Sequence, residues 1–207
     1  MIKKTLLIIP LALFIGCSSK NVTQYQNLTP LSWHYKIYKD IQNENLDQAD
    51  NDFVSFEAEH PGSIYIKTDL LELFLAHQQN EEYDLALFYL NEYEKRYATP
   101  QEITWIEYQK IKMNFLKYDK AYTNQQALLN IITMCNNYIS QYPDSNYLPE
   151  VNTILAKAEL TKKYFDDKIY KLYKKLDKPK AAKEFKVTIP KNSIPPYIPW
   201  YKKLFYW

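Results

Sequence analysis

The chain has 207 residues, 46% apolar and 24% charged, with a formal net charge of +2, which bounds it as one ordinary globular domain rather than a disordered one. Only two of those residues are glycine, Gly16 and Gly62. Phosphate-cradling loops, dinucleotide turns and the hydrolase elbow all need several glycines, for close backbone approach or positive φ, so they are excluded, and the shortage of hairpin glycines argues for helices over sheet.

Charge is unevenly spread. Residues 17–156 carry ten Lys/Arg against nineteen Asp/Glu, a net of −9, whereas 157–207 carry fourteen Lys against five Asp/Glu, a net of +9. The basic end suits anionic lipid or an acidic protein face, or is a solvated helix surface complementing acidic neighbours. Nucleic acid is not expected as a partner, because Arg96 is the only arginine and base-edge readout leans on that residue.

In chain order, residues 1–16 form a targeting segment outside the fold: Lys3 and Lys4, then an apolar run from Thr5 to Ile15 too short to span a bilayer permanently. It closes with Phe14-Ile15-Gly16-Cys17, which resembles the bacterial lipobox, with Phe14 and Ile15 standing where Leu and a small residue are commoner. That resemblance implies cleavage before Cys17 and acylation of Cys17, each buried methylene adding about 0.8 kcal/mol of membrane affinity. Residues 17–29 then form a lipidated tether, and Ser18 after the cysteine points to the outer membrane by resemblance to known sorting. Cys135 lies in the apolar run Ile131-Ile132-Thr133-Met134-Cys135 and reads as a buried structural thiol with no disulfide partner.

From Leu31 onward helical periodicity dominates. Thr29-Pro30 starts one helix, and Thr99-Pro100-Gln101-Glu102 starts another as a capping box. Pro61-Gly62, Asp119-Lys120, Pro143-Asp144 and Asp177-Lys178-Pro179 read as breaks. The expected helices are 30–43, 46–60, 64–79, 82–98, 100–118, 124–141, 147–176 and 179–187, with an insertion around 118–126.

The second helices of successive pairs share a register. Ala49-x3-Phe53-x2-Phe56 recurs as Ala86-x3-Leu90-x2-Tyr93 and as Ile131-x3-Cys135-x2-Tyr138, and Ala181-x3-Phe185 begins a fourth copy. Trp33, Leu70 and Phe165 each precede the small residue of their unit by sixteen positions. A small residue that lets two helices cross, with a large anchor to fill the gap, is the tetratricopeptide pattern. Its consensus glycine is replaced here by Ile37, Phe74 and Ile169. The fold class expected is all-α: a tetratricopeptide-like superhelix of about four helix pairs over 30–187, followed by an irregular Pro/aromatic tail over 188–207.

The lipobox, the closures His60-Pro61-Gly62-Ser63-Ile64-Tyr65 and Tyr142-Pro143-Asp144-Ser145-Asn146-Tyr147, and Leu160-Thr161-Lys162-Lys163-Tyr164-Phe165 running into the next unit together resemble the BamD family of outer-membrane assembly lipoproteins. That resemblance implies a non-catalytic subunit of the β-barrel assembly machinery on the periplasmic face of the outer membrane. Its N-terminal units would receive unfolded outer-membrane protein precursors, and its C-terminal units would dock a POTRA domain of a BamA-type barrel subunit. The family usually has five units, whereas residues 191–207 stand here in place of the fifth.

In such repeats the first helix of each pair lines the groove, so counting from the anchors assigns His34, Tyr38, Thr68, Leu71, Leu75 and Gln78 to it. Lys168, Lys171 and Lys175, with Trp200 and Tyr201 of the tail, are the candidate partner-docking residues. The tail either docks on a partner or the membrane interface or folds back as a cap. Alternative readings are a repeat lipoprotein for pilus or secretin assembly and a periplasmic cell-wall regulator. No cofactor is expected: His34, His60 and His77 lack metal-binding sequence spacing, and Asp166-Asp167 and Glu57/Glu59 read as solvated charges rather than an acid/base pair.

Overall fold

A computed structural model describes residues 28–121 and 125–189; Cys17, Trp200 and Tyr201 lie outside the described residues, as do the targeting segment and most of the tail. Among the described residues the chain is all helical, with eight helices: α1 (Pro30–Gln42), α2 (Leu46–Glu59), α3 (Tyr65–Gln79), α4 (Tyr83–Tyr97), α5 (Ile103–Ala121), α6 (Gln125–Gln141), α7 (Leu148–Lys175) and α8 (Pro179–Glu184). Consecutive helices pack as antiparallel hairpins, and the first helix of one pair also packs against the first helix of the next, α1 on α3 and α5 on α7. That is the tetratricopeptide-like stacking expected from the sequence.

The turns are built alike. Between α1 and α2 the Asn45 N–H donates to the Asp40 carbonyl at 2.9 Å; Glu82 to His77 at 2.9 Å and Lys178 to Tyr173 at 3.0 Å repeat it after α3 and α7. In each turn the residue just before that donor is left-handed: Glu44 at φ 59°, Glu81 at 61° and Asp177 at 52°. Glycine usually occupies this closing position, where a side chain costs energy. The chain accepts that strain three times, which is how it closes helices with so few glycines. The links between pairs match too: Ser63 N–H to the His60 carbonyl at 3.0 Å and Ser145 N–H to Tyr142 at 3.1 Å. The serine hydroxyls then accept from the Tyr65 and Tyr147 N–H groups at 3.3 and 3.2 Å. A Cβ at Gly62 would meet nothing within 4 Å, consistent with Asp144 standing at the equivalent place.

Thr29 caps α1, its hydroxyl accepting from the Ser32 N–H at 3.2 Å. The box at Thr99 forms only in part. Glu102 accepts from the Thr99 N–H and hydroxyl, both at 2.8 Å, but residues 100–102 make a turn and α5 begins at Ile103. The break expected at Asp119-Lys120 is absent: α5 continues to Ala121 and absorbs much of the insertion.

Two apolar cores result. The first joins Trp33 and Ile37 of α1, Ala49, Phe53 and Phe56 of α2, Leu70 and Phe74 of α3, Ala86, Leu90 and Tyr93 of α4, and Ile106 and Met113 of α5. The second joins Ile111 and Tyr118 of α5, Ile131, Cys135 and Tyr138 of α6, and Val151, Ile154 and Ala158 of α7. Helix α5 therefore serves both cores from different faces. Cys135 is fully buried and free, its thiol pushed up to about 11 by desolvation, which fits a structural role.

The first three copies of the repeat motif land as expected, with Ala49, Ala86 and Ile131 at 0%, 0% and 1% exposure. The fourth is shifted by one residue. Ala182 is buried while Ala181 is half-buried, so Phe165 does not anchor that unit in the expected register and stays half-buried against the second core. The physical reason lies in the turn: Ala49 and Ala86 follow the donors Asn45 and Glu82 by four residues, and four residues after Lys178 stands Ala182.

A buried polar knot ties the first two pairs. His77, 1% exposed, faces Glu82 at 2.6 Å and Asp50 at 2.9 Å, Tyr89 donates to the same Asp50 oxygen at 2.6 Å, and the Tyr89 ring stacks on the imidazole 5.4 Å away. Arg96 pairs with Glu57, fixing α4 to α2, and its guanidinium lies over the Tyr97 ring.

Candidate functional site

The candidate groove is carried by α1 and α3, which lie side by side. On α1 the inward stripe of Trp33 and Ile37 enters the core, so residues off that stripe must face solvent or the neighbouring helix. Tyr38, 44% exposed, is open as expected. Leu31 and Tyr35, which the sequence reading did not single out, are exposed at 58% and 65%. With Tyr38 they form an apolar stripe at i, i+4 and i+7, the spacing that aligns side chains along one helix face.

On α3 the core takes Ile66, Leu70, Leu73 and Phe74. Thr68 and Leu75, seven residues apart, share one stripe outside it, and Leu75 is 47% exposed. Leu71 and Gln78, also seven apart, share a flanking stripe; both are half-buried, and Leu71 packs partly against the first core. The structure thus keeps Tyr38, Thr68 and Leu75 as open surface and gives Leu71 and Gln78 only an edge on it.

His34 is placed differently. Its ring lies flat on Tyr65, centroids 5.0 Å apart and planes 13° apart, and its Nδ1 contacts an oxygen of Asp69 across the α1–α3 seam. Glu72, one turn beyond Asp69 on α3, completes a cluster whose ligating atoms all lie within 4.8 Å of one another. Asp69 is fully buried, and desolvation pushes its carboxyl up to about 6 despite the opposing contact with His34; burial raises Glu72 as well. The sequence does carry a signal for Asp69: an acid inside the apolar stripe Ile66-x3-Leu70-x2-Leu73, where a charge is costly unless something holds it.

The basic candidates lie on the last turns of α7. Lys171 is exposed and bonded to Asp167 at 2.6 Å, Lys175 is exposed, and Lys168 is half-buried. Leu172 and Leu176, 54% and 53% exposed, interleave with them. Among the described residues no helix is long and apolar enough to cross a membrane.

The family model described as Outer membrane lipoprotein (YfiO) matches residues 28–189. The outer membrane protein assembly factor BamD of Helicobacter pylori (strain ATCC 700392 / 26695) is 30% identical over 217 aligned residues, covering 99% of this chain and 97% of its own length.

Proposed function

The chain belongs to the BamD family of outer membrane lipoproteins, and from that membership we propose that it is a lipid-anchored scaffold that receives unfolded outer-membrane protein precursors in the α1/α3 groove and presents them to a BamA-type barrel subunit. As a member of that family it is an outer membrane protein assembly factor and not an enzyme. In the proposed arrangement Cys17 carries the acyl chains, and the helical body sits on the periplasmic face at the end of the 17–29 tether. Lys168, Lys171 and Lys175 on α7, with Trp200 and Tyr201, offer a basic and aromatic surface to the POTRA domain.

The observation that carries the groove assignment is the open stripe Leu31-Tyr35-Tyr38 on α1 beside Leu75 on α3. A monomeric soluble helix seldom leaves three large apolar side chains aligned in water without a partner to cover them. An extended, partly apolar segment fits such a trough, because tyrosine offers apolar area and a polar tip at low conformational cost. The double variant Tyr38→Asp, Leu75→Asp is expected to weaken binding of a denatured barrel-protein fragment at least tenfold, with a native helical circular dichroism spectrum. Undiminished binding in a folded variant removes the groove from the proposal. Separately, Cys17→Ser is expected to move the protein from the membrane to the soluble fraction on cell fractionation; a membrane pool equal to wild type would show that the acyl anchor is not what holds it.

A further inference from the structure

We propose that His34, Asp69 and Glu72 form a binding site for one divalent transition-metal ion of the zinc class at the seam between α1 and α3. This goes beyond the scaffold reading and does not depend on it. One potential ligand atom from each of the three residues lies within 4.8 Å of the others, and a side-chain shift of about an ångström draws them to the roughly 3.4 Å separation that ligands of one tetrahedral ion share. The cluster is more than a patch of surface acid, because Asp69 is completely buried. Its Oδ2 has no hydrogen-bond partner, and neither has the buried Oε2 of Glu72. Buried carboxylate oxygens are ordinarily satisfied, and two orphaned ones in a single cluster mark a place where positive charge is wanted.

Local structure supplies the rest. Asp69 and Glu72 are three apart on α3 and so project to neighbouring points of one face, while His34 reaches them from the adjacent helix. The His34 ring is held by its stack on Tyr65, so the imidazole is oriented before any ion arrives. A donor set of one imidazole nitrogen and two carboxylate oxygens suits zinc and its neighbours rather than calcium or magnesium, which prefer all-oxygen shells. The His34 side chain, 22% exposed, leaves a way in from solvent. An ion there cross-links the first helix pair to the second through the helices that bear the groove stripe, fixing the spacing of its two walls.

Calorimetric titration of the EDTA-stripped, detergent-solubilised full chain with zinc chloride tests this. The expected result is one zinc per chain with micromolar or tighter affinity, a raised melting temperature on loading, and the visible absorption of a low-symmetry site on cobalt substitution. His34→Ala, Asp69→Asn and Glu72→Gln should each weaken binding at least tenfold, whereas His60→Ala, whose ring bonds the Leu28 carbonyl elsewhere, should not. No saturable uptake by the wild type overturns the proposal, as does uptake unaffected by His34→Ala or satisfied equally by magnesium or calcium. Should Asp69→Asn fail to fold, the half-exposed His34 and Glu72 still decide the matter.

Discussion

Replacing Phe74 by alanine is expected to lower the unfolding free energy by about 3–5 kcal/mol, the range for deleting a fully buried aromatic ring without collapse of the cavity. Phe74 is 0% exposed in the first core and meets the Trp105 ring of α5 edge to face, centroids 5.9 Å apart and planes at 89°. Its loss opens a void and removes an aromatic contact between the second and third helix pairs. A chain of this size should lose roughly 6–20 °C in melting temperature. Phe74→Leu, which keeps most of the volume, should cost about a third as much. The neighbouring Leu75→Ala should stay within about 0.5 kcal/mol, because Leu75 is 47% exposed. Equal losses at positions 74 and 75 would contradict the assignment of one to the core and the other to the open face.

The second large effect belongs to His77. Desolvation alone lowers the pKa of this buried imidazole, but hydrogen bonds to Asp50 and Glu82 outweigh it, so the net shift is upward from 6.5. A folded state that holds a proton more tightly than the unfolded chain gains stability wherever both states are protonated. The contribution is therefore complete below about pH 6.5 and fades as pH rises through the raised folded value. His77→Ala should cost about 2–4 kcal/mol at pH 6, since it removes two charge-assisted hydrogen bonds and the stack on Tyr89. Urea unfolding between about pH 5.5 and pH 8.5 should show the wild type declining toward the alkaline end more steeply than the variant. Parallel pH profiles for the two proteins would mean that His77 carries no linked proton.

The helices, their pairing and the shared register of three repeats were legible because each depends on local spacing. Ala49, Ala86 and Ile131 stand at the same phase of an apolar pattern, and that phase survives folding. The fourth register was misread at Ala181 because two alanines stand together, and only the hydrogen bond from Lys178 to Tyr173 shows that Ala182 turns inward. The left-handed closures at Glu44 and Glu81 were not legible, since glutamate is an unusual choice there. The exposure of Tyr38, Thr68 and Leu75 followed from counting along a helix. His34 did not reveal its partners, because Asp69 and Glu72 lie 35 and 38 positions away and only the stacking of α1 on α3 joins them.

Helix α5 gives Ile106 and Met113 to one core and Ile111 and Tyr118 to the other, with Gln109 buried between these positions. The two halves of the molecule therefore share a single axle. A tilt or slide of that rod would have to be shared by both interiors, so a displacement at the acidic half would carry over to the lysine-bearing half without either core opening. Strain then passes along a stiff shaft and does not dissipate in soft packing.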